Sequence, residues 1–149
     1  MGDIRLIEGR LPPIADAALA AEAGCAADGA ELIFHGCVRG VEGEAPIIAL
    51  HYECYPGMAE AELRRLADES VRRFSISDLD CIHRVGDVPI GEASLRVTIR
   101  SPHRAEALEA MAWFIRQMKR RVPIWKWAVR SDGRREPTAS DRSDASPSG

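Results

Sequence analysis

The sequence predicts a single α+β domain with mixed sheets and about three helices, in the order αββαββαβ. Three observations carry that expectation. Stretches with apolar residues at helical spacing alternate with short runs rich in Val, Ile and Leu. A chain of 149 residues, 46% hydrophobic and 29% charged, is long enough for one core and ordinary in composition for a globular protein. From Ser131 onward Ser, Asp, Arg and Pro dominate with almost no apolar residue, so the domain is expected over residues 1–130 and a flexible polar tail over 131–149.

The elements follow in order. Ala15 to Ala27 is alanine-rich, helical in propensity, and closed by Asp28-Gly29. Glu31 to Val38 reads as a buried strand and Arg39-Gly40 opens a loop. A second strand is expected over Pro46 to Glu53, with a mobile hairpin connection around Gly43. Met58 to Phe74 places Leu63, Leu66, Ala67, Val71 and Phe74 on one helical face. The pairs Glu60/Arg64, Asp68/Arg72 and Glu69/Arg73 mark the solvated face. Two more strands, Leu79 to Val85 and Ala93 to Arg100, are joined through Gly86 to Gly91, and the second alternates Leu95, Val97 and Ile99 with polar residues.

Ser101-Pro102 supplies an N-cap and a first-turn proline for a helix ending at Arg121, with an apolar stripe of Leu108, Met111, Ala112, Ile115 and Met118. At about 100° per residue, Lys119 falls within that stripe. Pro123 ends the helix, so Ile124, Lys126 and Ala128 should share one face of a last strand.

Chemistry concentrates at that junction. Lys119 and Lys126 bracket the helix end. A lysine in an apolar stripe either snorkels to water or lines a cavity. The nearby Trp113, Trp125 and Trp127 are expected as apolar walls, and an ammonium buried among them has a pKa lowered toward proton-transfer range. Between Arg116 and Arg135 eight basic residues face one acid, Asp132, in a chain of net charge -3, so an anionic ligand is expected there. His103 and Arg104 fall in the first turn of the third helix, where free N–H groups and a guanidinium favour phosphate or carboxylate.

Other classes recede. Cys25, Cys37, Cys54 and Cys81 are scattered without metal spacing and are expected as buried thiols; no metal or cofactor is called for. The N-terminus lacks signal-peptide blocks and no apolar run reaches membrane length, so a cytoplasmic protein that does not engage a membrane is expected. The net negative charge argues against nucleic acid. Tyr52, Tyr55 and Met58 read as packing residues.

Five ordered blocks carry a family resemblance: Gly36-Cys-Val-Arg39, Leu50-His-Tyr-Glu-Cys-Tyr-Pro-Gly-Met-Ala59, His83-Arg-Val-Gly-Asp-Val-Pro-Ile-Gly-Glu92, Ser101-Pro-His-Arg104 and Lys119-Arg-Arg-Val-Pro-Ile-Trp-Lys126. With them the chain resembles the large, catalytic subunits of molybdopterin synthase. The resemblance implies an α/β-hammerhead-like fold and a central homodimer, with a small ubiquitin-like sulfur-carrier subunit at each end to make a heterotetramer. It implies sulfur transfer from the carrier's C-terminal Gly-Gly thiocarboxylate to cyclic pyranopterin monophosphate, forming the dithiolene of molybdopterin. Lys119 is then expected to move protons and Lys126 to stabilise negative charge, while Arg39, His103 and Arg104 hold the substrate. The chain departs from the family pattern at Trp127-Ala128, where a basic residue and an acid are usual, and at Gly133 to Pro137. An arginine that crosses from the partner protomer in the family has four candidates here: Arg130, Arg134, Arg135 and Arg142. The competing class is a catalytically silent module that docks a ubiquitin-like carrier.

Overall fold

A computed structural model describes residues 2–14, 27–42 and 45–138. The architecture is α+β. Nine strands and two helices are described: β1 Ile4–Glu8, β2 Ala30–Cys37, β3 Val41–Glu42, β4 Ala45–Pro46, β5 Ala49–Cys54, α1 Pro56–Phe74, β6 Asp78–Pro89, β7 Ala93–Ser101, α2 Arg104–Arg121, β8 Ile124–Val129 and β9 Arg135–Pro137. The alanine-rich helix expected over Ala15 to Ala27 falls on residues 15–26, which lie outside the described residues.

The spine of the seven-stranded sheet is β6, which changes partners along its length. Its first half pairs antiparallel with β7 through Asp78–His83, and its middle runs parallel to β1 through Cys81–Val85. From Gly86 on it pairs with β5, which in turn pairs with β8, and β8 with β9. Gly86 sits at the switch with φ of 85°, a left-handed backbone that a side chain would strain. The strand order β2-β7-β6-β5-β8-β9 therefore joins a helix-covered region to a smaller one built around β5 and β8.

Apolar burial follows that division. Both helices pack on each other and against strands of the first region. Leu63 and Leu66 of α1, Phe114 of α2, and Leu79, Val97 and Ile99 of the strands form the main core. Val38, Ile47, Leu50, Tyr52, Val88 and Ala128 form a second, smaller cluster. Ala128, where the resemblance implies an acid, is 1% exposed in that cluster.

Several expectations change. The buried stripe of α2 runs through Ala107, Ala110, Met111, Phe114 and Met118, while Leu108 and Ala112 face solvent. The helix meets its neighbours through small alanines, which a reading weighted toward large side chains passes over. On α1, Glu60 and Arg64 pair at 2.8 Å as expected. Glu69 instead accepts from Arg121, and Arg73 lies 5.2 Å over the Trp113 ring. The connection around Gly43 is flanked by a short β3–β4 ribbon, and the second strand begins at Ala49. Past Ser131, in the segment read as tail, Arg135–Pro137 pair with β8 and Thr138 is buried.

Candidate functional site

A cavity of about 310 Å³ lies where the two regions meet, under the C-terminal end of α2. Its walls come from β2, β5, β6, β7, α2 and β8, so the parts of the site are far apart in sequence. Lys119 projects from the last turn of α2. The helix ends with the Val122 N–H donating to the Met118 carbonyl at 3.1 Å, and Pro123 then turns the chain into β8. Strand periodicity puts Ile124, Lys126 and Ala128 on one face, and Lys126 stands opposite Tyr52 in the β5–β8 register. Arg39 follows β2 in a loop anchored on both sides: Val38 N–H donates to Glu92 O at 2.9 Å, and Ile47 N–H to Gly40 O at 3.1 Å.

The cavity thus brings together Lys119, Lys126 and Arg39. None of the three has an ion-pair partner among the described residues. That contrasts with the rest of the basic stretch, where Arg121 pairs with Glu62 and Glu69, Arg130 with Glu136, Arg134 with Asp132, and Arg135 with Asp87. Much of the charge asymmetry of residues 116–135 is cancelled, partly by the nearby Asp132 and Glu136 and partly by Glu62, Glu69 and Asp87 from other segments. What remains uncancelled in the cavity favours an anion.

His103 and Arg104 are not part of this cavity. They start α2, whose other end carries Lys119 fifteen residues on, about 22 Å along the axis. Both are exposed, and the helix N-cap is His103, whose N–H donates to Ser101 Oγ at 3.3 Å. The tryptophan walls are also absent. Trp113 is buried against Phe74, Trp125 is 46% exposed against Tyr55, and none of the three lines the cavity. Lys119 is exposed in the single chain, and Lys126 is half-buried. The desolvation expected of Lys119 is therefore not supplied by this chain alone.

The polar floor is formed by Tyr52, expected only to pack, with Ser94 and His83, to which the sequence assigns no role. Tyr52 Oη donates to Ser94 Oγ at 3.1 Å, and Ser94 donates on to the Gly36 carbonyl at 3.3 Å. The buried His83 ring meets Tyr52 edge-on at 4.9 Å. His83 opens one of the five family blocks, but no role attaches to it from sequence, because an imidazole in an apolar strand is as common in plain cores. Cys37, expected as a buried thiol, is exposed at the cavity; Cys54 is half-buried and Cys81 buried, while Cys25 lies outside the described residues. Tyr55 and Met58, read as packing residues, are each 64% exposed. Among the described residues no His, Cys, Asp and Glu cluster could hold a metal, and no helix is long and apolar enough to cross a membrane.

Comparison with known proteins places this geometry. The family model described as MoaE protein matches residues 12–121. A molybdopterin synthase catalytic subunit from Caulobacter vibrioides is 40% identical over 119 residues, 78% of each chain. One from Pyrococcus abyssi is 39% identical over 105 residues, 70% of this chain and 71% of the relative. Among solved structures, molybdopterin synthase from Staphylococcus aureus superposes with a TM-score of 0.73 at 29% identity, covering 89% of this chain and 93% of that one. A complex of subunits 1 and 2 of molybdopterin-converting factor from Helicobacter pylori gives 0.72 at 26% identity, covering 91% and 90%. The chain belongs to the MoaE family, the catalytic subunits of molybdopterin synthase, and is a sulfur-transferring enzyme of that kind.

Proposed function

We propose that the cavity under α2 is where sulfur passes from the thiocarboxylated C-terminus of a small ubiquitin-like carrier to cyclic pyranopterin monophosphate. The observation that supports this most is the set of three cations, Arg39, Lys119 and Lys126, without carboxylate partners in one cavity. Two anions, a thiocarboxylate and a phosphate ester, must be held together for the transfer, and fixed cations oppose their repulsion. Lys126, half-buried on a strand, orients the carrier tail and stabilises developing negative charge. Lys119, on the helix end, exchanges protons with the reacting atoms once the tail and the substrate displace water around it. A silent carrier-docking module has no need of this arrangement.

His103 and Arg104 enter the same site from a second copy of the chain. The exposed face of α2 between Arg104 and Lys119 carries Leu108, 56% exposed, and Ala112, with half-buried Ile115 beside them. Two such faces packed antiparallel bury that apolar strip and bring Arg104 of one copy to Lys119 of the other, which supports a homodimer core flanked by two carriers. A cytoplasmic setting fits a substrate and carrier of this kind. The test is whether purified protein with thiocarboxylated carrier converts the pterin phosphate to a dithiolene product; no conversion contradicts the assignment. Light scattering should give a dimer mass at micromolar concentration, and a monomer mass contradicts the shared site.

A further inference from the structure

His83 is 5% exposed, yet it lines the cavity beside Lys126. Its Nδ1 lies 2.6 Å from the Arg84 carbonyl oxygen. A carbonyl can only accept, so Nδ1 carries the proton of that bond and Nε2 of the neutral ring is left with its lone pair. The edge-on contact with Tyr52 fixes the ring plane. No hydrogen bond engages Nε2 among the described residues, and Nε2 is not among their sealed, unsatisfied buried atoms. On this strand pairing Tyr52 is the residue that stands opposite Lys126, so the ring and the ammonium share one corner of the cavity.

We propose that His83 is a positioning residue for sulfur transfer: its Nε2, without a partner among the described residues of the chain alone, accepts a hydrogen bond from the Lys126 ammonium once the carrier tail fills the cavity and so fixes where that charge stands. Burial pushes the His83 pKa down to about 4, against the raising effect of the Arg84 carbonyl and with a further lowering by Lys126, so the ring is neutral at pH 7. A neutral acceptor holds an ammonium without cancelling its charge, whereas a carboxylate in the same place would neutralise the cavity it serves. This role rests on the reading of the cavity as the transfer site.

Two measurements test it separately. With histidine labelled by ¹⁵N in the intact protein bound to the carrier at pH 7, the expected pattern is a protonated Nδ1 and an Nε2 without a proton of its own, with the Nε2 resonance moving in Lys126→Met while Nδ1 stays. A proton on Nε2, or an Nε2 resonance indifferent to Lys126→Met, overturns the proposal without any activity assay. In turnover, His83→Asn keeps a donor for the Arg84 carbonyl and loses the Nε2 position, while His83→Gln keeps an acceptor there. His83→Asn should lower kcat about tenfold or more with KM within about threefold, as loss of a hydrogen bond to a charged group implies, and His83→Gln should stay within about threefold of the parent. Equal kcat in His83→Asn and parent, or equal losses in both variants, overturns it. If the parent itself transfers no sulfur, the transfer reading falls, and the resonance measurement alone decides the contact.

Discussion

The two ends of α2 differ in a way that organises the molecule. At the C-terminal end the helix stops over a cavity with a buried polar floor, and Lys119 joins Lys126 and Arg39 there. At the N-terminal end Arg104 likewise offers a cation, with His103 beside it, but both stand exposed and outside that cavity. Residue type alone does not separate the two ends; backing does. The helix is a ruler about 22 Å long between Arg104 and Lys119, so one chain holds only part of its expected anion-binding set. On the function proposed above, a second copy completes the set.

The largest effect should come from the cavity end. Lys119→Ala is expected to lower kcat about a hundredfold or more, the range for loss of a proton-transfer group, with a melting temperature close to the parent because the side chain is exposed. Rates from a dithiolene assay and a thermal melt decide it, and turnover equal to the parent's breaks the contrast between the two ends.

The buried floor should sharpen the contrast next. Unfolded, His83 protonates near 6.5; folded, burial holds it at about 4. Between those values the unfolded chain binds more protons, so stability is complete above pH 6.5 and declines as pH falls toward 4, by about 3 kcal/mol from this group. Urea unfolding of the parent and of His83→Phe at pH 7 and pH 4.5 should show the loss in the parent and a flatter profile in the variant.

Arg39→Ala and Arg104→Ala should each weaken pterin-phosphate affinity about tenfold, through loss of a charge-assisted contact present in ground and transition states alike. Calorimetry with the pterin phosphate checks both; unchanged affinity in the pair moves the phosphate elsewhere. The smallest effect is a labelling contrast. Cys37 at the cavity should react with iodoacetamide in the native protein, whereas Cys81, buried and pushed up to about 12 by burial with Asp80 adding to it, should react only after unfolding. Equal labelling rates contradict that burial.

Much of the fold was legible in local pattern. The end of α2 at Arg121 matches the proline signal, and the β8 alternation that carries Lys126 follows from Pro123; the start lies later than the Ser101-Pro102 signal, with His103 as the N-cap. Elements defined by tertiary pairing were not legible. β1 is five residues long and β9 three, and each is a strand only because a partner lies alongside. The site shows the same division. Lys119 and Lys126 are close in sequence and meet as their local geometry requires. Arg134 and Arg130 are neutralised locally by Asp132 and Glu136, but the neutralisation of Arg121 by Glu62 and Glu69 on α1, and of Arg135 by Asp87 on β6, depends on acids that no local window contains. The role of His83 was hidden for a related reason: its place at the floor depends on β6, β5 and β8 converging after Gly86 switches the pairing.

A mixed-copy experiment tests the central claim most directly. Lys119→Ala and Arg104→Ala chains, each defective alone, are unfolded together, refolded and assayed with thiocarboxylated carrier and pterin phosphate. If each site takes Lys119 from one copy and Arg104 from the other, a mixed dimer holds one site with both defects and one intact site, and turnover reappears well above the sum of the separate variants. If both residues serve a site within one copy, every site in the mixture lacks one of them. Activity that stays at the level of the separate variants, with mixed dimers present by mass, contradicts the account.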